Sequence, residues 1–433
     1  MSKLPPFYSI AEVAESVRVS IKSIRRYIAA KKIDAVKIGN VYRIPQEAME
    51  RFVNFYKKEN EASFNLNGKI TSDDLQKDKE KSVNWIDVQD DWTSPIKTKL
   101  TFVDLFCGAG GLSKGLELAG LNGICGLDWF KEAGLTYKRN FKHPLIEGDI
   151  TQQPVKDLFY STVKKELGKR KLSVIAGGFP CQGFSMSGNR IVDDPRNSLY
   201  KEMLEIVNKL KPDFVICENV PGLRTMLGGK VELKILQDFE SIGYKMNVTT
   251  LSAADYFVPQ KRDRVIFIGN RVNCKNFHPK PILKPSEYRT TAEAISDLMD
   301  HPEDKAFNHV PTKHNSEMKK RLQKVKEGKS LYAGYSDSWK KCPWNEASCT
   351  IKENHGGVNI HPKLPRVLTA REMARIQSFP DDFIFEGPKN KQLVQIGNAV
   401  PPLLGKAIGL AIKKMAKVTK TKEKYLKNGN QNI

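Results

Sequence analysis

The sequence lacks most features of secreted, membrane and zinc-stabilised proteins. Its 433 residues include seven cysteines but no Cys-x-x-Cys pair, which argues against a disulfide framework and a structural zinc site. No apolar run reaches about 18 residues, and the first six residues have no apolar signal-peptide core. We therefore expect reduced thiols, no bound metal, no membrane partner and a cytoplasmic location.

Acidic residues are also in short supply. The chain has 71 Lys and Arg residues against 49 Asp and Glu residues, a formal net charge of +22. Such a surface attracts polyanions, because binding to nucleic acid releases condensed counterions. The alternative is that the many lysines are only solvated surface groups. Nucleic acid is the partner that this charge favours.

Residues 7–53 have the pattern of a small DNA-binding domain. Ser9 and Glu12 form a capping-box pattern that begins a first helix, residues 21–28 form a basic second helix, and residues 35–44 predict a hairpin that turns at Gly39-Asn40. This order resembles the winged helix-turn-helix domains of the excisionase and MerR type. The candidate DNA contacts are Lys22, Arg25, Arg26 and Arg43. The alternative is a helical docking domain with solvated basic residues.

Strand-like and helix-like stretches alternate over residues 98–270, which predicts an α/β fold with a mostly parallel sheet and helices on both faces. The predicted strands are residues 100–105, 123–127, 172–176, 214–217 and 264–268. Helices are predicted at residues 369–378 and 402–417, whereas residues 271–345 are rich in lysine and proline and irregular.

The first predicted strand runs into a glycine-rich turn, Phe-Cys-Gly-Ala-Gly-Gly, at residues 106–111. Glycine lets a backbone approach a ligand closely, and the following helix N-terminus favours electron-rich groups. Asp128 follows the next strand, where a carboxylate can bind ribose hydroxyls, and Asp149 is a third polar strand end. A dinucleotide site is the rival, but the string Gly-x-Gly-x-x-Gly is absent.

Gly-Gly-Phe-Pro-Cys-Gln at residues 177–182 follows a short apolar run. A thiol at the carboxyl end of a strand lies where open α/β sheets bind ligands, and it can act as a nucleophile. The alternative is a buried cysteine that packs as a small apolar group. The string resembles the Pro-Cys-Gln loop of the DNA (cytosine-5)-methyltransferases, which makes Cys181 the candidate nucleophile.

Further motifs extend this resemblance over residues 100–412 in the family's usual order. Glu-Asn-Val at residues 218–220 and Gln-x-Arg-x-Arg at residues 260–264 match the catalytic elements. The resemblance implies that the Cys181 thiolate attacks carbon 6 of a cytosine flipped out of the duplex, while Glu218 holds ring N3 and the exocyclic amine. Arg262 is the first choice for contact with the flipped nucleotide and Arg264 the second.

The resemblance also implies S-adenosyl-L-methionine as cofactor, on a Rossmann-like methyltransferase sheet with a smaller target-recognition domain. The C-terminal Gln-Ile-Gly-Asn-Ala-Val-Pro-Pro motif at residues 395–402 should fold back beside the first motif. The implied cofactor residues are Phe106, Gly108, Gly110, Asp128, Asp149, Leu199 and Asn398. The candidate DNA contacts near the catalytic loop are Gln182, Ser187 and Gln260.

These patterns predict six segments: a winged helix-turn-helix at residues 1–55, a charged linker at 56–97, the catalytic domain at 98–270, target recognition at 271–350, the C-terminal part of the catalytic domain at 351–416, and a basic tail at 417–433. Trp85 and Trp92 in the linker form an aromatic patch suited to docking on the next domain.

The expected activity is methylation of cytosine carbon 5 within a specific double-stranded DNA sequence, in a restriction-modification system with a cognate endonuclease. We expect a monomer associated with the nucleoid, and autoregulation by the N-terminal domain is a further hypothesis. One alternative is a non-enzymatic DNA-binding regulator, which the complete set of catalytic motifs disfavours. Another is a tRNA cytosine methyltransferase, a branch whose Cys-Phe-Thr string is absent here.

Overall fold

The structure is a computed structural model that describes most of the chain. It describes residues 7–10, 12–13, 24–25, 27–28, 33–38, 41–53, 83–93, 96–180, 199–332, 339–352 and 358–429. Within these residues, no helix combines the length and apolar character needed to cross a lipid bilayer.

The N-terminal part contains a three-stranded sheet: β1 (Phe7–Ser9), β2 (Val36–Ile38) and β3 (Val41–Pro45). β2 and β3 pair antiparallel as the predicted hairpin, and β1, which the sequence did not predict, pairs antiparallel with β3. The predicted capping box forms, since Ser9 N donates to Glu12 Oε2 at 2.7 Å and Glu12 N donates to Ser9 Oγ at 3.2 Å. The core of this part contains Val13, Ile24, Ile44 and Phe52.

After the short strand β4 (Trp85–Ile86), which pairs in parallel with β12 (His278–Pro279), a seven-stranded sheet forms the centre of the larger part of the chain. Its strands are β5 (Thr101–Leu105), β6 (Asn122–Asp128), β7 (Leu145–Glu147), β8 (Val174–Gly177), β9 (Phe214–Asn219), β10 (Lys245–Ser252) and β11 (Asp263–Asn270). The strand order is β10-β11-β9-β8-β5-β6-β7. Five neighbours, β5 to β9, run parallel, and β11 is antiparallel to both β9 and β10.

The chain turns in opposite directions from the centre of this sheet. β5 leads to β6 and β7 on one side, whereas β8 and β9 lie on the other side. Open α/β sheets bind ligands outside the carboxyl ends of their strands at such a reversal of strand order. The fold therefore directs attention to the segments that follow β5, β6, β8 and β9.

The helices of the described residues flank this sheet and follow it. They are α1 (Gly111–Leu118), α2 (Lys131–Asn140), α3 (Gln153–Leu167), α4 (Leu199–Leu210), α5 (Lys230–Ser241), α6 (Thr291–Ile295), α7 (Ser316–Lys324), α8 (Ala370–Ile376), α9 (Lys389–Asn398) and α10 (Pro402–Gly429). α10 continues 12 residues beyond the predicted end at residue 417, because residues 418–428 contain no glycine or proline to end the helix. Short elements joined by irregular chain occupy the described residues between 271 and 345, where the composition predicted irregular structure.

Glycines allow α10 to pack closely on α1. A Cβ atom on Gly115 would lie 2.5 Å from the carbonyl oxygen of Pro402, and one on Gly111 would lie 2.2 Å from the carbonyl oxygen of Val400. Side chains at these positions would force the two helices apart. The close contact confirms that the C-terminal motif at residues 395–402 returns to the glycine-rich motif at residues 106–111.

Part of the predicted linker packs on the catalytic core. Val88 is fully buried in the cluster that contains α10 residues. The Trp92 ring lies 5.3 Å from the Phe257 ring, and Lys406 Nζ lies 4.6 Å from the Trp92 ring centroid and donates to the Trp92 carbonyl oxygen at 2.6 Å. Residues 83–93 therefore belong to the packed unit, so the docking predicted for Trp92 is present in the structure.

A buried hydrogen-bond chain lies beneath the glycine-rich turn. Ser113 Oγ donates to Asp104 Oδ2 at 2.6 Å and lies 2.9 Å from Tyr137 Oη, which in turn lies 2.7 Å from His143 Nε2. Asp104 is 1% exposed and its Oδ1 has no hydrogen-bond partner. Burial raises the pKa of Asp104 to about 7 and lowers the pKa of His143 to about 4.

The raised pKa of Asp104 predicts a pH-dependent loss of stability. The unfolded chain releases this proton near pH 3.8 and the folded chain near pH 7, so the folded state holds more protons between these values and stability falls as the pH rises. The Asp104 contribution to this fall is about 1.4 kcal/mol for each pH unit of the window. Thermal unfolding of Asp104→Asn should therefore lose less stability from pH 5 to pH 8 than the wild type.

The exposed carboxylate of Asp157 offers a matched control. Asp157→Asn should follow the wild-type profile. An Asp104→Asn profile that also follows the wild type would contradict a buried, neutral Asp104.

Candidate functional site

Several predicted site residues follow strands at the carboxyl edge of the sheet. Phe106 follows β5, Asp128 ends β6, Asp149 lies two residues beyond β7, and Glu218 is the penultimate residue of β9. β8 ends at Gly177, four residues before Cys181. Because β5 to β9 are parallel, these strand ends share one edge of the sheet.

The turn after β5 has a backbone that suits glycine. Phe106, Gly108 and Gly110 all have positive φ angles, of 57°, 52° and 94°. A Cβ on Gly110 would lie 2.3 Å from the Phe141 ring, whereas one on Gly108 would meet no atom within 4 Å. The turn is therefore packed on its Gly110 side and open at Gly108, where a ligand can approach the backbone.

Asp128 is held by the backbone of two loops. Its Oδ2 accepts a hydrogen bond from Gly108 N at 2.7 Å, and its Oδ1 accepts one from Phe130 N at 2.8 Å. Burial raises the pKa of Asp128, although these hydrogen bonds act in the opposite direction. Asp149 differs, because it is exposed and its Oδ1 accepts from Thr151 N and Oγ1, both at 2.9 Å.

Trp129 is a candidate that the sequence analysis missed. It directly follows Asp128, and 75% of the residue is exposed. A large aromatic ring left in solvent beside a buried carboxylate offers a stacking surface for a planar ligand. Exposure, rather than any motif, identifies it.

Glu218 and Arg264 form a largely buried ion pair. Arg264 Nε lies 2.8 Å from Glu218 Oε1, and the two side chains are 12% and 13% exposed. The strand register brings them together, since Glu218 on β9 pairs with Ile266 on β11. Burial raises the pKa of Glu218, and the nearby Arg264 and Arg262 lower it by a smaller amount.

The end of β8 lies against this carboxylate. A Cβ on Gly178 would lie 2.9 Å from Glu218 Oε2, and Asn219 Nδ2 donates to the Phe179 carbonyl oxygen at 3.0 Å. The chain that leads toward Cys181 is thus fastened to the Glu-Asn-Val motif up to Phe179. Cys181, Gln182 and Ser187 lie outside the described residues.

Arg262 has a different environment from the one predicted. It is 1% exposed and donates to the carbonyl oxygens of Ile351, Gly397 and Ala399 at 2.8, 2.8 and 3.0 Å. A guanidinium with these partners ties segments distant in sequence to the start of β11. The geometry favours a positioning role for Arg262 and leaves Arg264 beside Glu218, the reverse of the predicted order.

Gln260 is likewise fully buried. Its Nε2 donates to Gln377 Oε1 at 2.9 Å, and its Oε1 accepts from Ile351 N at 2.8 Å. Both ends of the amide have partners within the protein, so this geometry does not support the predicted contact with DNA. We reassign Gln260 to positioning the arginine-bearing segment.

The remaining predicted residues lie at helix ends or in the N-terminal part. Leu199 begins α4 and is half-buried. Asn398 ends α9 and is exposed, next to the Ala399 and Val400 atoms that contact Gly111. In the N-terminal part, Arg25 is exposed and Arg43 half-buried, whereas Lys22 and Arg26 lie outside the described residues.

Two family models match the chain. The C-5 cytosine-specific DNA methylase model matches residues 100–414, and a helix-turn-helix domain model matches residues 7–55. The first covers the sheet, the candidate site and the C-terminal motif.

Curated relatives agree with this assignment. The chain is 37% identical over 331 residues to Type II methyltransferase M1.HphI of Haemophilus parahaemolyticus, covering 73% of this chain and 87% of the relative. It is 34% identical over 371 residues to M.DdeI of Desulfomicrobium norvegicum, covering 71% and 87%. With M.Eco47II of Escherichia coli, the 29% identity extends over 95% of this chain and 96% of the relative.

Solved structures share the fold. A DNA modification methyltransferase encoded within an E. coli prophage superposes with a TM-score of 0.60 at 25% identity, covering 73% of this chain and 99% of the other. The site geometry, the family models and the relatives agree: the chain belongs to the C-5 cytosine-specific DNA methylases, as a restriction-modification type DNA (cytosine-5-)-methyltransferase (EC 2.1.1.37) with an N-terminal helix-turn-helix domain.

Proposed function

We propose that the protein methylates carbon 5 of a cytosine flipped out of a specific double-stranded DNA sequence, through a covalent bond to Cys181. The observation that carries the proposal is the buried Glu218–Arg264 pair at the carboxyl edge of the sheet, against the end of β8. A carboxyl group and a guanidinium side by side match the ring N3, exocyclic amine and carbonyl oxygen of cytosine.

Glu218 and Arg264 have different roles in the proposed reaction. Carbon 5 of cytosine is a poor nucleophile until the Cys181 thiolate bonds to carbon 6 and negative charge develops at N3. Glu218, whose pKa is raised by burial, supplies a proton or hydrogen bond at N3. Arg264 stabilises the developing charge and holds Glu218 in place. Carbon 5 then bonds to the transferred methyl group, and loss of the carbon 5 proton to water with expulsion of the Cys181 thiolate from carbon 6 restores the aromatic ring.

S-adenosyl-L-methionine is the proposed cofactor, and it would supply the methyl group as an electrophile. The open backbone at Gly108 and the buried Asp128 carboxylate fit an adenosyl ligand, with Asp128 binding the ribose hydroxyls. The exposed Trp129 ring would stack on the adenine. Phe106, Gly110, Asp149, Leu199 and Asn398 complete the proposed cofactor site.

DNA recognition is proposed for residues 271–350, and Ser187 and Gln182 remain candidate contacts near the flipped base. A cognate endonuclease acting on the same site, a monomeric state and an association with the nucleoid also remain proposals. The DNA substrate itself follows from the family.

Sequencing of bisulfite-treated DNA tests the activity and reveals the target. DNA from cells that express the chain should show protected cytosines within one recurring sequence, and cells that express Cys181→Ala should show none. Protection that persists in Cys181→Ala would contradict the assignment of the nucleophile.

Glu218→Gln should lower kcat about 10²- to 10⁴-fold, because glutamine keeps the hydrogen-bonding shape but cannot transfer a proton. In the wild type, kcat should fall as the pH rises through the raised pKa of Glu218, because the protonated carboxyl group is lost. The pH profile of Glu218→Gln should not show this fall. Steady-state rates across pH measure both effects.

Asp263→Asn is the matched control, since Asp263 is an exposed carboxylate at the start of the same strand as Arg264. It should retain wild-type kcat. A Glu218→Gln enzyme with wild-type kcat would remove Glu218 from the chemistry.

We also propose that the helix-turn-helix domain binds the promoter of the enzyme's own operon and represses it. The family match at residues 7–55, the exposed Arg25 and the separate core of this part support a DNA-binding unit. The alternative is that the domain serves catalysis by holding the methylation substrate.

Two truncations distinguish these roles. A chain that starts at residue 82 keeps the docked segment at 83–93, so it should methylate DNA normally and lose promoter binding in a gel-shift assay. A chain that starts at residue 96 should also lose thermal stability, because Val88 and Trp92 leave the core. Loss of methylation by the first truncation would assign the domain to catalysis.

A further inference from the structure

Two cysteines that the reaction does not use lie side by side. Cys342 Sγ and Cys349 Sγ are 3.7 Å apart. Cys342 is fully buried, whereas Cys349 is partly exposed. Polar neighbours surround them, since Ser348 Oγ donates to Cys342 Sγ at 3.3 Å and Asn359 Nδ2 donates to Cys349 Sγ at 3.1 Å.

The two thiols differ in exposure and in acidity. The hydrogen bond with Cys342 lowers the pKa of Cys349, with Lys340, Ser348 and Asn359 acting in the same direction and burial acting against them. The same contact raises the pKa of Cys342. A partly exposed thiolate beside a buried thiol is the arrangement of oxidation-sensitive dithiols.

The two cysteines also lie next to residues 259–262, the segment that precedes Arg264. Ser348 N donates to the Pro259 carbonyl oxygen at 3.0 Å, and Lys261 N donates to the Ser348 carbonyl oxygen at 2.8 Å. Ile351, two residues beyond Cys349, bonds both Gln260 and Arg262. Cys349 therefore lies between two residues, Ser348 and Ile351, that bond to the segment preceding Arg264.

We propose that Cys342 and Cys349 form a reversible redox site whose disulfide slows methyl transfer. Hydrogen peroxide is the oxidant. The Cys349 thiolate attacks a peroxide oxygen, forming a sulfenic acid and releasing hydroxide, and Cys342 then displaces water to form the S–S bond. Overall, two thiols and one hydrogen peroxide give one disulfide and two waters.

Disulfide formation brings the two sulfur atoms closer together. The sulfur atoms must approach from 3.7 Å to about 2.05 Å. Misplacement of positioning groups by about 1 Å can cost about 10²-fold in rate. Because Ser348 and Ile351 hold Pro259, Gln260 and Arg262, part of this displacement reaches the catalytic residues.

Peptide mass gives a direct test. Cleavage after Lys341 and Lys352 places both cysteines in one tryptic peptide, residues 342–352. After hydrogen peroxide and then an alkylating reagent, this peptide should be two hydrogens lighter and carry no alkyl group. Dithiothreitol should restore two alkylation sites. A doubly alkylated peptide, or a sulfinic acid on Cys349, would overturn the proposal.

Activity tests the consequence, which rests on the proposed function, whereas the peptide mass does not. Oxidised wild type should lose about tenfold more methyl transfer than oxidised Cys342→Ala, and dithiothreitol should remove this difference. Both proteins keep Cys181, so oxidation of the nucleophile affects them equally. Cys349→Ala serves as a second variant should Cys342→Ala fold poorly. Equal losses in all three proteins would overturn the regulatory role.

Discussion

The ion pair between Glu218 and Arg264 is the interaction on which the site depends. Desolvation of two charges is expensive, and their attraction compensates only when the geometry is good. Here the geometry is good, because the two side chains lie on adjacent antiparallel strands with Arg264 Nε 2.8 Å from Glu218 Oε1. Removal of Glu218 leaves the Arg264 guanidinium buried without its carboxyl partner, so the pair favours the observed arrangement of β9 and β11. That arrangement also presents the Glu218 carboxyl group to the end of β8, beside Gly178.

A second arginine explains how the distant parts of the chain hold this pair. Arg262 donates to carbonyl oxygens of Ile351, Gly397 and Ala399, so a single guanidinium joins the start of β11 to two later segments. Gln260 adds bonds to Gln377 and Ile351. Gln260 and Arg262, the first two defined residues of the Gln-x-Arg-x-Arg motif, thus hold the segment that leads to Arg264. The C-terminal motif at residues 395–402 packs against α1 at Gly111 and Gly115.

Local patterns predicted much of this structure. The five predicted strands are present, with ends shifted by one or two residues, and Glu218 lies at the end of its strand as expected. The capping box of Ser9 and Glu12 formed because its signal is contained in four residues. β10 escaped prediction because its asparagine and threonine side chains interrupt the apolar pattern.

Contacts between residues distant in the chain could not be predicted from the sequence. Arg262 and Arg264 are two residues apart, and spacing alone cannot say which guanidinium faces the site and which binds carbonyl oxygens more than 80 residues away. The exposure of Trp129 and the meeting of Cys342 with Cys349 also depend on packing. Motif resemblance supplied the candidate residues of the site, whereas the structure distinguishes Arg264, which lies beside Glu218, from Arg262, which binds carbonyl oxygens.

Covalent trapping directly tests the proposed bond between Cys181 and carbon 6 of cytosine. In DNA with 5-fluorocytosine in place of cytosine, the fluorine at carbon 5 cannot leave as the proton does, so the covalent complex persists. Because every cytosine is replaced, the target sequence need not be known. We expect a complex that survives denaturation, forms only with S-adenosyl-L-methionine and yields a peptide crosslinked through Cys181. No complex, or a crosslink through another residue, would contradict it.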